Sequence, residues 1–162
     1  MTAEPLSRAS AVFLLVDHQT GVFERVVKAP PRDQVEANVL RLARAAALLD
    51  MPVVFTTSEE DGPNGALLPS LEEVLPAAYA SRIDRRGVID SLADPAVAEA
   101  VAATGRRQLI TAGIGTEVCG VAPPCTPTAT ATRSSSWPMP VARRPRSATT
   151  SRCGAWSRWA SR

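Results

Sequence analysis

Two hydrophobic periods alternate along the first two-thirds of the chain. Ala11 to Val16 (AVFLLV) is a short, unbroken apolar run that stops at Asp17, the pattern of a strand buried on both faces of a parallel sheet. From Asp33 to Leu49 the apolar residues Val35, Val39, Leu42, Ala46 and Leu49 recur at spacings of three and four, which predicts one buried face of a helix. Met51-Pro52 leads into a second run, Val53 to Ser58 (VVFTTS), closed by the turn formers Asp61 to Gly65 (DGPNG). Together these form a predicted βαβ unit.

Pro69 to Leu75 reads as a short helix, and the polar, basic stretch from Tyr79 to Ser91 as irregular or weakly extended. A better punctuated helix follows. Asp94 is its N-cap, Pro95 its first residue, Val97, Ala98 and Val101 its apolar face and Gly105 its C-terminal stop. Gln108 to Ala112 (QLITA) predicts a third buried strand. Gly113-Ile114-Gly115 then breaks the chain before Thr116, an N-cap for a helix carrying Cys119. This alternation predicts an α/β fold: a three-layer α/β/α sandwich with a mostly parallel sheet. In such sheets ligands bind beyond the carboxyl ends of the strands, so Asp17 and Cys119 are expected on one rim.

Charge divides the chain in two. The net charge of +2 is the balance of −5 over residues 1–120 and +7 over residues 121–162, where seven Arg stand without an acid beside six Pro and all three Trp. The expected organisation is a domain over 1–120, incomplete, and a basic Pro/Ser/Thr/Arg-rich tail over 121–162. No apolar run approaches a membrane span and the N-terminus lacks a secretory pattern, which predicts a cytoplasmic protein. Three cysteines, Cys119, Cys125 and Cys153, cannot pair completely, in keeping with a reducing compartment.

A thiol in the first turn of a helix is stabilised as thiolate by the helix dipole and adjacent amides, and the same amides can hold an oxyanion. Cys119 and the amides from Thr116 onward fit that description, although a small buried cysteine is the plain alternative. Asp17 can exchange protons with the thiol and the leaving group, and Arg82, Arg85 or Arg86 can supply a cation from the irregular stretch.

Three segments give these residues a context: LLVDHQTG (Leu14 to Gly21), TTSEEDGPNG (Thr56 to Gly65) and ATGRRQLITAGIGTEVCG (Ala103 to Gly120). They resemble the isochorismatase-like cysteine hydrolases, specifically a subgroup of amidohydrolases, over about residues 11–120. The resemblance implies a triad of Asp17, Arg85 and Cys119, with Arg86 the competing choice because RRGVIDSLAD (Arg85 to Asp94) departs from the subgroup's usual segment. Arg in place of the more common Lys implies an electrostatic clamp, since it does not share its proton. Gly115, Thr116 and Cys119, with His18 as a neighbour of the pocket, are implied for oxyanion or substrate binding, with a non-proline cis peptide at Gly115–Thr116. Metal-dependent relatives use several histidines, and this chain has one, His18. No metal and no cofactor are therefore expected. The implied partner is a small-molecule substrate, with a homo-oligomer for an intact family member and neither membrane nor nucleic acid.

The tail does not continue the family pattern, and it reads differently when each codon's third base is joined to the first two of the next. With CGN for Arg and TCN for Ser, Arg133 to Trp137 (RSSSW) become NTC, NTC, NTC and NTG, all apolar, followed by Ala, a residue that can be Asp, and Ala. This predicts a frameshift near residues 120–124 and, for the tail as written, little packed structure. The competing readings are a non-catalytic truncated or interaction protein, marked by salt-sensitive nucleic-acid binding, and a flavodoxin-like cofactor binder. The latter lacks the glycine-rich phosphate loop after its first strand, where DHQTG stands.

Overall fold

The computed structural model describes residues 5–26, 31–114 and 133–136. Its elements run β1 (Ala11–Val16), α1 (Thr20–Val26), α2 (Arg32–Leu48), β2 (Val53–Ser58), α3 (Ser70–Val74), α4 (Pro76–Ala80), β3 (Ile83–Arg85), a 3-10 turn (Ser91–Ala93), α5 (Pro95–Ala103), β4 (Gln108–Gly113) and β5 (Arg133–Ser136). The five strands form one parallel sheet in the order β3-β2-β1-β4-β5.

All six residues of β1 are buried, because β1 is central and helices cover both faces. Its side chains alternate. Leu15 joins Phe55, Val35, Val39 and Ala43 in the core under α2, while Val12, Leu14 and Val16 pack with Leu109, Leu92 and Val97 under α5. This is the expected three-layer α/β arrangement. α2 buries Val35, Val39 and Ala46 as predicted, together with Ala43, whereas Leu42 is half-buried and Leu49, at the C-cap, is exposed. At the start of α5, Asp94 Oδ1 accepts from the amides of Ala96 (2.9 Å) and Val97 (3.4 Å), and Gly105 beyond its end has a φ of 66°.

The structure differs from the sequence expectation in four places. α1 was not anticipated, and the helix predicted from Pro69 is followed by a second, α4, started by Pro76 at its first turn. The stretch expected to be irregular contains β3, which pairs with β2 from Thr56↔Ile83 to Ser58↔Arg85. In the tail, Arg133–Ser136 lies parallel to β4, with Gln108 opposite Arg133 and Thr111 opposite Ser136. Its lack of hydrophobic period hid that strand.

Connectivity determines where a site can form. The chain moves outward from β1 to β2 and β3, then returns to place β4 on the other side of β1. Strand order therefore reverses between β1 and β4, the kind of switch point beyond whose carboxyl ends α/β sheets bind ligands. β1 ends at Val16 and β4 at Gly113, residues paired in register.

Candidate active site

Asp17 follows the last residue of β1 at this switch point. Its amide donates to the Thr56 carbonyl at 2.9 Å, its φ is 56°, and it is 8% exposed. A non-glycine residue in the left-handed region turns the chain sharply out of the strand. The next residues are held just as firmly: the His18 carbonyl accepts from Leu68, and Gln19 Oε1 accepts from the Ser58 amide at 2.9 Å. Gln19 Nε2 donates to the carbonyls of Ser58 (3.1 Å) and Gly65 (2.5 Å). The carboxyl end of β1 is thus tied to the loop that follows β2.

Arg85 closes β3 two strands away and reaches back to Asp17, with Nη2 2.5 Å from Oδ1. It is 1% exposed. Nε donates to Thr56 Oγ1 at 2.8 Å, and Nη1 donates to the carbonyls of Val88 and Ile89. Each guanidinium nitrogen therefore has an acceptor within the protein, as a buried charge requires. The Arg85 guanidinium thus bridges Asp17 and the backbone carbonyls at 88–89. Arg86 is exposed, since neighbouring residues at a strand end face opposite ways. Arg82, the third candidate cation, is engaged elsewhere: Nε and Nη2 donate to Glu60 Oε1 (2.7 Å) and Oε2 (3.0 Å), and the guanidinium lies 4.9 Å from the centre of the Tyr79 ring. Hydrogen bonding to Arg82 lowers the Glu60 carboxyl below its ordinary range, and the same bond raises Arg82.

His18 is fully buried, and desolvation lowers its pKa from 6.5 to about 4, so near neutral pH it is an uncharged imidazole. Its Nδ1 finds no hydrogen-bond partner among the described residues. Gly115, Thr116 and Cys119 lie outside the described residues, as does the Gly115–Thr116 peptide. β4 ends six residues before Cys119. Among the described residues no group of three or more His, Cys, Asp or Glu side chains is arranged to hold a metal ion, and no helix is long and apolar enough to cross a membrane.

Thr56 and Gln19 are the contacts that sequence reasoning missed. Two threonines ending an otherwise apolar strand were the available signal for Thr56.

The family model for the isochorismatase domain matches residues 11–122, from the first residue of β1 to just past Cys119. The chain belongs to the isochorismatase family. It is 42% identical over 114 residues to the probable hydrolase YcaC of Escherichia coli (strain K12), an alignment covering 70% of this chain and 53% of the relative. Among solved structures it is similar to YcaC from Pseudomonas aeruginosa with hexane-2,5-diol and covalent acrylamide. That match has a TM-score of 0.71 and 42% identity, covering 77% of this chain and 60% of the other. The YcaC gene product of Escherichia coli, described as an octameric hydrolase of unknown specificity, matches with a TM-score of 0.66 and 42% identity, covering 72% and 57%. The chain thus spans little more than half the length of these relatives.

Proposed function

We propose that this isochorismatase-family chain has the site of a cysteine hydrolase acting on a small carbonyl substrate, with amide C–N cleavage as the reaction. The observation that carries the reading is the buried Asp17–Arg85 pair at the β1/β4 switch point, with Cys119 following the end of β4 by six residues in the sequence. Asp17 takes the thiol proton of Cys119, and the thiolate attacks the carbonyl carbon. Amides near Thr116 and Cys119 stabilise the oxyanion. Asp17 returns its proton to the departing amine as the C–N bond breaks, leaving a thioester. Water then gives the carboxylic acid and restores the thiol. Arg85 positions Asp17 and exchanges no proton itself.

Because a relative is known with covalent acrylamide, acrylamide is a suitable first probe. Cys119 is expected to be labelled faster than Cys125 or Cys153. In an amide panel scored by amine release, Cys119→Ala is expected to abolish turnover. Full turnover by that variant on an identified substrate would remove Cys119 from the mechanism.

A second reading is favoured by the tail. The family match ends at residue 122, and β5 consists of Arg-Ser-Ser-Ser at a place beside β4 where a parallel sheet uses apolar residues. The chain as written is then an inactive, out-of-frame member whose corrected form carries the activity and, like the octameric relative, self-associates.

A further inference from the structure

We propose that Thr56 is a positioning residue that fixes Asp17 and Arg85 relative to each other, an inference resting on the cysteine-hydrolase reading. Thr56 lies on β2 between the strands bearing the two charges, level with Val16 on one side and Ile83 on the other. It contacts both members of the pair. Its backbone carbonyl accepts from the Asp17 amide at 2.9 Å and its hydroxyl accepts from Arg85 Nε at 2.8 Å. The residue is fully buried, so water cannot replace the hydroxyl. An apolar side chain here would leave the Nε–H without its acceptor and free the guanidinium to turn about its remaining contacts. The Asp17 carboxylate, held by that guanidinium at 2.5 Å, would shift with it. Displacements of this kind away from the reacting atoms cost up to about a hundredfold in rate.

Thr57 provides a matched control. It is equally buried on the same strand, and its hydroxyl donates to Asp84 Oδ1 at 3.1 Å. Thr56→Val keeps the shape and the backbone carbonyl and removes the hydroxyl. Thr56→Ser restores the hydroxyl.

The experiment measures acrylamide labelling of each cysteine by peptide mapping at about pH 7 and about pH 10, on either side of an ordinary thiol's 8.5. If Asp17 assists deprotonation, Thr56→Val slows Cys119 labelling about tenfold or more at the lower pH. At the higher pH, where solvent removes the proton, the rate is unchanged. Thr56→Ser recovers the lower-pH rate and Thr57→Val leaves the ratio of the two rates as it was. Should Thr56→Val not fold, Thr56→Ala deletes the same hydroxyl and carries the same expectation. Equal loss in Thr56→Val and Thr57→Val, or an unchanged rate ratio in Thr56→Val, would overturn the positioning role while fast Cys119 labelling in the parent left the hydrolase reading standing. A parent chain whose Cys119 reacts no faster than Cys125 and Cys153 would overturn both.

Discussion

Asp17 sits in a left-handed conformation that few non-glycine residues adopt, and it is held there from both sides. Its amide is fixed to Thr56 and the next carbonyl to Leu68, so the turn is over-determined by neighbours that belong to the core. The same enclosure makes His18 a liability in acid. Its folded value of about 4 lies below the ordinary 6.5, so between those values the unfolded chain binds a proton that the folded chain refuses. Stability is unaffected by this group above about pH 6.5 and is lost as pH falls toward 4, by about 3 kcal/mol at most. His18→Gln, which does not titrate, is expected to flatten that acid limb in urea unfolding followed from about pH 7 to pH 4.5. An equally steep limb in the variant would assign the loss to other groups. At this scale the sequence was informative where chemistry interrupts a pattern: Asp17 stands out because a carboxylate ends an apolar run. Arg85 and Arg86 were harder to separate, since the strand that turns one inward and the other outward is three residues long. Thr56 was hidden because a β-branched residue in a strand needs no further explanation.

α1 and the loop after β2 make contact at Gly21, where a Cβ would lie 2.1 Å from the Pro63 carbonyl oxygen and 2.9 Å from that of Asn64. The approach is closed by backbone, including the bond from the Gly21 amide to Asn64 at 2.8 Å. No side-chain rotation can therefore relieve a collision. Gly21→Ala is expected to destabilise the chain by about 1–3 kcal/mol, read as a lower urea midpoint, and to loosen the Gln19 contacts that tie this loop to β1. An unchanged midpoint would mean that the loop can move aside without cost. Long or fully buried elements were legible because their own residues specify them: β1 by its apolar run, α2 by its period, α5 by Asp94, Pro95 and Gly105. α1, α4 and β3 have between three and seven residues, too few to display a period. They owe their form to packing, as when Phe23 of α1 is buried with Leu15, Leu67 and Leu68.

For the whole molecule, the decisive feature is the change of composition at the point where the family match ends. Residues 11–122 match the isochorismatase domain, and the first four strands of the sheet lie between Ala11 and Gly113. β4 then needs a neighbour, because a strand paired on one side only leaves a ladder of unsatisfied amides and carbonyls. Arg133–Ser136 takes that place with none of the Val, Ile or Leu that a strand between two helical layers normally supplies. Joining each codon's third base to the next two turns these same residues into an apolar run, followed by Ala, a position open to Asp, and Ala. The shifted reading thus puts apolar residues at the positions that form β5. Resequencing the coding DNA across codons 115–130 is expected to reveal a missing or extra base. The frame-restored chain is expected to unfold cooperatively at higher urea than the chain as written, and to elute as an oligomer where the latter does not. An uninterrupted frame, an intact mass of 17.1 kDa and unfolding as cooperative as that of the restored chain would sink this reading. The basic tail would then be a working part of the protein, with its seven arginines the first feature to be explained.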